Sequence, residues 1–231
     1  MKCTAIVLAA GQGKRMNSRV QKQFLLLQGK PLLYYSLACF QNSSVIDDMI
    51  VVTGKESIDF CKKEIVELYG FTKVKAVIPG GKERYDSVYA GLCACEGTDY
   101  VFIHDGARPF VTEDMLQRLK SAVTEYGACT AGMPSKDTVK IADEKGLVAK
   151  TPKRSHVWMI QTPQVFSFAL ILEAHNRARQ GSMEEITDDA MVIETCTDRK
   201  IKLVEGSYEN IKITTPGDLL IAERILTEKY R

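Results

Sequence analysis

The sequence predicts an α/β fold in which a Rossmann-like, mostly parallel sheet carries helices on both faces. Two observations predict it. Short apolar segments alternate with helix-like segments as far as about residue 126, and repeated strand–helix units give parallel strands covered by their crossovers. The first apolar segment, 5–8, also runs directly into small residues, which is typical of a strand that ends in a tight loop near a ligand. Ligands of such folds bind at the carboxyl ends of the strands.

The strand-like and helix-like segments form pairs along the chain. The strands are predicted at 5–8, 49–53, 74–78 and 100–104, and the helices that follow them at 32–40, 58–69, 84–95 and 113–126. In the second helix, Ser57 is the predicted N-cap, apolar residues recur on one face, and Gly70 suits a left-handed helix end. The pattern therefore predicts four strand–helix units in succession.

The second half of the chain departs from this regular alternation. A fifth strand is predicted at 127–133 and another at 201–204. Near the end, an alternating strand segment leads into a helix for which Thr215 is the predicted N-cap, Pro216 the first residue and Asp218 the third. We therefore expect the chain to close with a strand followed by a helix.

The composition is that of an ordinary soluble globular protein. Hydrophobic residues make up 45% and charged residues 26% of the chain, and the net charge is +2, which gives no indication of nucleic-acid binding. No linker, repeat or low-complexity tract is evident, so we expect a single domain over 1–231. Seven scattered cysteines favour reduced, buried thiols. The chain enters a strand directly and has no apolar run of membrane length, so we expect a cytoplasmic protein without membrane association.

The segment 5–22 is the strongest candidate for a ligand site. Small residues end the strand and cations follow it: Ala9, Ala10, Gly11, Gly13, Lys14, Arg15, Arg19 and Lys22. No Asp or Glu precedes Asp47, whereas six Lys or Arg do. Exposed backbone N–H groups and one-sided positive charge favour a polyanion such as a nucleoside triphosphate. The glycine spacing fits neither a Walker A loop nor the Gly-x-Gly-x-x-Gly fingerprint, so an ordinary turn with solvated cations stays open as the alternative.

Two later strand ends carry residues suited to the same site. Gly80 and Gly81 follow the third strand, with Ser87 in the first turns of the next helix, and bare backbone there can hydrogen-bond a flat nucleobase. A plain Gly-Gly turn is the alternative. Asp105 ends the fourth strand, where a buried carboxylate requires a cation, a metal ion or ligand hydroxyls. Arg108 could pair with it for structural reasons alone, or Asp105 could serve Mg²⁺ or a ribose.

Between about 134 and 154 the chain becomes polar and lacks helix patterns. Alternating segments at 138–142 and 147–151 flank Asp143-Glu-Lys-Gly146, which is typical of a β-hairpin. Such a hairpin has little core of its own, so we expect something outside the monomer to stabilise it. A mobile surface flap is the alternative.

These segments resemble the motifs of a known family. The motifs are Leu8-Ala-Ala-Gly11 with Gly13, Arg15 and Met16, then Lys22-Gln-Phe24, Gly29-Lys-Pro31, His104-Asp-Gly-Ala-Arg-Pro109 and Gln161-Thr-Pro-Gln164. They are similar to those of nucleotidyltransferases that make nucleoside-diphosphate sugars and alcohols, and most resemble the family of 2-C-methyl-D-erythritol 4-phosphate cytidylyltransferases. The resemblance spans nearly the whole chain. Val20-Gln21 departs from it, since many relatives carry a Pro before the Lys.

The resemblance implies a cytidylyltransferase that uses Mg²⁺, transfers CMP from CTP to 2-C-methyl-D-erythritol 4-phosphate by in-line attack and releases pyrophosphate. It implies that Arg15, Lys22 and Lys212 are catalytic through their positive charge. It assigns nucleotide binding to Ala9, Ala10, Gly11, Gly13, Gly80, Gly81, Ser87 and Asp105, with Asp105 near the metal, directly or through water. Independently of the resemblance, Lys212 alternates with two isoleucines and is expected to point away from them.

The resemblance also implies a homodimer with shared sites. The hairpin would be an arm, at about 134–154, that embraces the second subunit, and Thr138 and Arg154 would reach the partner's sugar-alcohol phosphate. Arg108, Thr162 and Thr187 complete the implied substrate contacts, although Thr162 also fits a rigid Pro turn and Thr187 a capped helix start. Of the histidines, we expect His104 to hydrogen-bond beneath the site and His175 to be solvated.

Three other functions are weighed against this one. A ribitol-5-phosphate cytidylyltransferase would use the same scaffold, but those enzymes tend toward Leu-Ala-Gly-Gly and His-Asp-Ser-Val-Arg-Pro where this chain has Leu8-Ala-Ala-Gly11 and His104-Asp-Gly-Ala-Arg-Pro109. A non-catalytic nucleotide-binding regulator would be expected to lose the cations at the α-phosphate, which are all present here. A Rossmann oxidoreductase is the weakest candidate, because the third glycine of its fingerprint is missing.

Overall fold

The computed structural model describes residues 1–11, 21–181 and 186–229. The strands are β1 (Cys3–Ala9), β2 (Leu26–Leu27), β3 (Lys30–Pro31), β4 (Asp48–Thr53), β5 (Val74–Pro79), β6 (Tyr100–Asp105), β7 (Ala128–Pro134), β8 (Ile141–Ala142), β9 (Val148–Lys150), β10 (Trp158–Ser167) and β11 (Lys202–Glu205). The helices are α1 (Leu32–Asn42), α2 (Ile58–Phe60), α3 (Arg84–Cys93), α4 (Glu113–Tyr126), α5 (Phe168–Ala178), α6 (Asp189–Cys196) and α7 (Pro216–Lys229). Short 3₁₀ turns cover Lys22–Phe24, Lys55–Ser57 and Arg154–His156, and α2 passes into a π-helical stretch at Cys61–Glu67.

Seven strands form one sheet in the order β11-β7-β10-β6-β1-β4-β5. Its neighbours pair in parallel except for β10, which runs antiparallel to both β6 and β7. The order reverses at β1, because β4 and β5 extend to one side while β6 lies on the other. Such a reversal leaves a crevice beyond the carboxyl ends of the strands. The predicted Rossmann-like, mostly parallel fold is confirmed.

Successive residues of β1 face opposite sides of the sheet. Ala5 and Val7 belong to a core that also contains Leu37 of α1 and Leu116 of α4. Ile6 belongs to a second core, with residues of α3, α5 and α6 on the other face. Burial on both faces explains why β1 is an unbroken apolar run rather than an alternating one. It also fixes where β1 ends, at the centre of the crevice.

The helix predicted at 58–69 differs from the prediction at its start. Ser57 occupies the N-cap position, as predicted, but it also ends the preceding 3₁₀ turn, and its side chain makes no capping hydrogen bond. The helix then widens at Cys61, whose side chain is buried. Gly70 has a φ of 67°, as predicted for the residue that ends it.

The last helix begins as predicted, but the strand expected before it does not form. Asp218 Oδ2 accepts hydrogen bonds from the backbone N–H groups of Thr214 and Thr215, both at 2.8 Å, which caps α7. The segment before it pairs with no strand; instead, Ile213 N donates to Ala107 O at 2.9 Å. This single backbone bond holds the segment against the loop after β6.

The hairpin at 134–154 is present and projects from the core. β8 and β9 pair antiparallel, and Asp143 Oδ1 accepts bonds from Lys145 N and Leu147 N, both at 2.9 Å. Every residue from 140 to 151 is exposed. Within the chain, therefore, these strands have only each other and the turn to stabilise them.

The cysteine prediction is only partly right. All seven are free, and Cys3, Cys61 and Cys129 are buried, whereas Cys93 is exposed. In the described part of the chain, no helix is long and apolar enough to cross a membrane.

Candidate active site

A cleft of about 240 Å³ opens beyond the carboxyl ends of β1, β5 and β6, where the strand order reverses. Its lining includes seven residues that the sequence predicts for the site: Ala10, Gly11, Lys22, Gly81, Ser87, Asp105 and Lys212. Four separate segments of the chain contribute them. The cleft thus brings together the groups that a nucleotide and its phosphates require.

Gln23, the neighbour of Lys22, contacts the end of β1. Gln23 is 1% exposed, and its side-chain amide donates to the carbonyl of Ala9. Thr53 Oγ1 donates to the same carbonyl at 3.4 Å. Ala9 is itself buried at the end of β1 and is not part of the cleft lining, whereas Lys22 lines the cleft. Gly13 and Arg15 lie outside the described residues.

The Gly-Gly segment after β5 is packed against the start of α3. Ser87 Oγ accepts a hydrogen bond from Gly81 N at 3.1 Å and donates to Glu83 O at 3.3 Å. A Cβ at Gly80 would lie 2.6 Å from Ala10 Cβ and 2.7 Å from Ser87 Oγ. Only glycine therefore fits at position 80 in this arrangement. Gly81 and Ser87 line the cleft, and Gly80 packs against Ala10 and Ser87, which are both lining residues.

Asp105 is the centre of charge in the cleft. It is 8% exposed, and its two carboxylate oxygens contact different cations: Arg84 Nε lies 3.5 Å from Oδ1 and Lys212 Nζ lies 2.7 Å from Oδ2. Burial alone would raise the pKa of Asp105, but Arg84 and Lys212 outweigh it and hold that pKa well below its usual value. Asp105 is therefore ionised at neutral pH.

Arg84 is one of the charged cleft residues that sequence reasoning missed. It is the first residue of α3, and its Nη2 donates to Asp189 Oδ2 at 2.7 Å while its Nε faces Asp105. Burial would lower the pKa of Arg84, but Asp189 and Asp105 raise it instead. Its partner Asp189 stands 105 positions further along the chain, so no local pattern in the sequence could have indicated the pairing.

His104 fixes the floor of the cleft, as predicted. Its Nε2 lies 3.1 Å from Arg108 O and its Nδ1 lies 3.1 Å from Thr162 Oγ1, which in turn accepts a bond from Asp105 N at 3.0 Å. Because a carbonyl can only accept, Nε2 carries the proton and Nδ1 accepts from Thr162. Burial lowers the pKa of His104 to about 4, so this neutral form holds the backbone of Asp105 at physiological pH.

The remaining predicted residues lie outside the cleft lining. Arg108 does not form the ion pair with Asp105 that the sequence left open as an alternative; its Nη1 donates to Asn210 O at 2.7 Å. Thr162 is 4% exposed and occupied by the bonds just described. Thr187 is exposed and precedes the N-cap of α6, which is Asp188. Thr138 and Arg154 are exposed on the arm.

His175 contradicts the sequence prediction. It is fully buried rather than solvated, and neither of its ring nitrogens has a hydrogen-bond partner among the described residues. Its ring lies 6.2 Å from that of Tyr89 of α3. The error arose because α5 shares one core with α3 and α6 on this face of the sheet, so a helix position that could have been solvated is enclosed.

The cleft is built to gather phosphate groups rather than to attack them. Of its described lining residues, none is a histidine or a cysteine, and the one serine hydroxyl is bonded to Gly81 and Glu83. Its described lining offers three ammonium groups, one guanidinium group, two carboxyl groups and small residues at strand ends. Such a cleft at the reversal point of a Rossmann-like sheet defines a nucleotidyltransferase, which catalyses by positioning and charge neutralisation.

The comparisons identify the particular family. The family model of 2-C-methyl-D-erythritol 4-phosphate cytidylyltransferase (IspD) matches residues 3–228. A protein of that name from Lachnoclostridium phytofermentans is 52% identical over 229 residues, which is 98% of this chain and 97% of the relative. One from Lachnospira eligens is 49% identical over 220 residues, which is 95% of this chain and 96% of the relative. The crystal structure of 4-diphosphocytidyl-2C-methyl-D-erythritol synthase from Anaerococcus prevotii superposes with a TM-score of 0.87 at 35% identity, covering 98% of this chain and 96% of that one. The chain belongs to the 2-C-methyl-D-erythritol 4-phosphate cytidylyltransferase family.

Proposed function

We propose that the protein transfers CMP from CTP to 2-C-methyl-D-erythritol 4-phosphate, giving 4-(cytidine 5'-diphospho)-2-C-methyl-D-erythritol and pyrophosphate. The observation that carries the proposal is the convergence of Lys22, Lys212, Asp105 and the Gly81–Ser87 pair on one cleft. These residues come from the first, middle and last parts of the chain. The family to which the chain belongs supplies the identity of the two substrates.

The reaction needs no protein nucleophile. An oxygen of the substrate's 4-phosphate forms the bond to the α-phosphorus of CTP, the bond between that phosphorus and the β-phosphate oxygen breaks, and pyrophosphate leaves with the electron pair. Both reactants are anions at neutral pH, so the barrier is lowered by bringing them together and neutralising the charge on the α-phosphate and the leaving group. Lys22 and Lys212 do this in the proposal, together with Arg15 of the same loop as Lys22.

The cytosine ring is proposed to bind against Gly80, Gly81 and Ser87. The absence of side chains at Gly80 and Gly81 lets a flat base approach the backbone. The space beside the Cα of Gly80, between Ala10 and Ser87, is too narrow for even a methyl group. Ala9, Ala10, Gly11 and Gly13 are proposed to contact the rest of the nucleotide with backbone groups. Gly81 N and Ser87 Oγ are hydrogen-bonded to each other, and we propose that the base takes the place of one partner in this bond.

The residues of the cleft fit Mg²⁺ bound mainly through the nucleotide. No group of three or more His, Cys, Asp or Glu side chains that could hold a metal is found among the described residues, and Mg²⁺ commonly takes one or two carboxylates while keeping waters and phosphate oxygens. Asp105, ionised and at the cleft surface, would hold it directly or through water. The ion would supply charge neutralisation to the triphosphate.

A homodimer with exchanged arms is proposed for the second substrate. Ile141, Leu147 and Val148 of the arm are 48%, 63% and 61% exposed, which is apolar surface that a second subunit could cover. Arm exchange would bring Thr138 and Arg154 to the partner's sugar-alcohol phosphate. Arg108, Thr162 and Thr187 are proposed to support that half of the site, Arg108 and Thr162 through the floor of the cleft. We also propose a single nucleotidyltransferase domain over 1–231 and a cytoplasmic location.

The test is turnover by the purified protein with CTP, Mg²⁺ and each candidate alcohol phosphate. We expect stoichiometric pyrophosphate and the cytidine diphosphate alcohol with 2-C-methyl-D-erythritol 4-phosphate, and far less with ribitol 5-phosphate, which the comparisons do not favour. Product formation is read by phosphorus NMR. Absence of turnover, or a trapped nucleotidyl-enzyme, would contradict the proposal, because a covalent intermediate has no place in direct attack.

A further inference from the structure

Arg84 joins two carboxylates that belong to different parts of the fold. Its Nε faces Asp105 Oδ1 at the end of β6 at 3.5 Å, and its Nη2 donates to Asp189 Oδ2 at the start of α6 at 2.7 Å. The side chain is 28% exposed and lines the cleft. Its planar fork can therefore serve two partners at fixed positions, which a lysine ammonium on a flexible stem cannot do as well.

The anchor of Arg84 is held rigidly from behind. Asp189 is 1% exposed, and the residues beside it are fastened to β10 by Gln164. The amide of Gln164 donates to Asp188 Oδ2 at 2.9 Å, and its carbonyl oxygen accepts from Ala190 N at 2.8 Å. Asp188 also caps α6 by accepting from Met191 N at 2.9 Å. Because the first turn of α6 is fixed in this way, Asp189 holds the Arg84 guanidinium in one place.

Asp105, the second carboxylate that Arg84 contacts, also contacts Lys212. Asp105 Oδ1 faces Arg84 while Oδ2 accepts from Lys212 Nζ at 2.7 Å. Without Arg84, the carboxylate would be free to turn both oxygens toward Lys212 and bind its ammonium more closely. Lys212 would then be less available to a phosphate group, and Asp105 would present no oxygen in a fixed direction to the nucleotide or its metal ion.

We infer that Arg84 is a positioning residue of the transferase reaction, which, braced by Asp189, orients the Asp105 carboxylate so that Lys212 is left available to the nucleotide phosphates. The inference rests on the proposed function, because it assigns Asp105 and Lys212 to the nucleotide. A purely structural ion pair would differ from it in one respect. Removing a structural pair would lower stability alone, whereas removing a positioning residue changes nucleotide affinity and turnover in protein that is still folded.

The experiment compares Arg84 variants in the full-length protein. We expect Arg84→Met to lower kcat/KM for CTP by about 100-fold, the size of effect that misplacing a reacting group causes, and to weaken CTP binding measured by calorimetry. Arg84→Lys keeps the charge without the fork and should lose about tenfold. Asp189→Asn removes the anchor and should change the same two quantities in the same direction by a smaller factor.

A double variant guards against misfolding. Arg84→Met leaves Asp189 buried without its cation, which can unfold a protein, whereas Arg84→Met/Asp189→Asn removes both charges. The double variant should melt close to the wild type and keep the kinetic defect. Arg179→Met is the matched control. Arg179, which follows α5, pairs at 2.9 Å with Asp86 of α3, the helix that carries Arg84, but Arg179 and Asp86 do not line the cleft. This variant should stay within twofold of the wild type.

The outcomes separate the two proposals. A folded double variant whose CTP affinity and kcat/KM lie within threefold of the wild type would overturn the role of Arg84 while leaving the proposed function intact. If the wild type itself fails to release pyrophosphate from CTP and 2-C-methyl-D-erythritol 4-phosphate, the proposed function fails, and the role of Arg84 fails with it. Equal losses in the Arg179→Met control would also contradict the inference, because they would show a general effect of removing an arginine that pairs with a carboxylate near the start of α3.

Discussion

The cleft and the arm both carry predicted site residues, but the fold treats them in opposite ways. In the cleft, Asp105 and its cations are fixed by contacts within the chain, and Gln23, His104 and Ser87 secure the backbone around them. In the arm, residues 140–151 are all exposed and have no core. The difference predicts that the proposed nucleotide half of the site is built within one chain, whereas the arm would acquire a function only through a contact beyond it.

The largest effect on the cleft is expected from removing one of its cations. Lys22→Ala should lower kcat by about 10²–10³-fold, because a preorganised charge at the site of developing negative charge is worth about 3–4 kcal/mol. Folding should survive, since Lys22 lines the cleft and its buried neighbour Gln23 keeps its contact with the end of β1. Steady-state kinetics and a melting curve measure both. Lys62→Ala is the control, because Lys62 is exposed on the helix after α2. A kcat near the wild-type value for Lys22→Ala would remove Lys22 from the catalytic set.

The second test closes the base pocket without changing charge. In Gly80→Ala, the new Cβ would lie 2.6 Å from Ala10 Cβ and 2.7 Å from Ser87 Oγ, so the pocket must shift. We expect KM for CTP to rise about tenfold or more, while KM for the alcohol phosphate changes less, since a displacement of 1 Å in positioning groups can cost up to about 100-fold.

Gly217→Ala provides the matched control for that test. Gly217 lies in α7, and a Cβ there would meet only Thr215 Oγ1, at 3.8 Å. Alanine also favours a helix more than glycine does, so this variant should be neutral or slightly more stable. If Gly80→Ala and Gly217→Ala bind CTP equally well, the pocket at Gly80 does not hold the base.

The sequence predicted which segments form the cleft better than it predicted the contacts between them. β1 and its loop were predictable because strand burial and small residues leave a local pattern, and Lys212 was expected to face the site because it alternates with buried Ile213, although no strand forms there. Arg84 was missed because its meaning depends on Asp189, 105 positions away. The antiparallel β10 was missed as well, since Pro163 interrupts its pattern where the pairing register shifts between Ile160 and Gln164. Local patterns predict elements, but contacts between distant segments decide which charges meet.

The third test addresses the arm. Leu147→Asp places a charge on a side chain that is 63% exposed in the monomer, so the fold of the single chain should be unaffected. If the arm packs on a second subunit, burial of a leucine is worth about 1.5–3 kcal/mol, and the dimer dissociation constant should rise at least tenfold. Light scattering at several concentrations measures it. Turnover at low protein concentration should fall in parallel, with CTP binding retained.

Leu68→Asp is the control for the arm test, because Leu68 is 66% exposed at the end of the helix after α2. It should leave the oligomeric state unchanged. A Leu147→Asp protein that remains as associated and as active as the wild type would mean that the arm is a surface flap, which the sequence left open.

The smallest effect is expected behind the cleft, at His175. Burial lowers the pKa of His175, and Arg84 and Arg179 add to the shift against the opposing effect of Asp189. A folded-state pKa below the unfolded value of about 6.5 means that the unfolded chain binds more protons, so the stability that His175 contributes is present above pH 6.5 and is lost as the pH falls below it.

His175→Phe removes this titration and two ring nitrogens without hydrogen-bond partners among the described residues. It should raise the free energy of unfolding at pH 7 by about 1 kcal/mol. His104 shifts in the same direction, so denaturant unfolding between pH 4 and 7 should show a reduced slope in the variant rather than none. If the slope and the stability of the variant equal those of the wild type, His175 is not enclosed as a neutral imidazole. The region behind the cleft would then be less tightly packed than the contrast with the exposed arm requires.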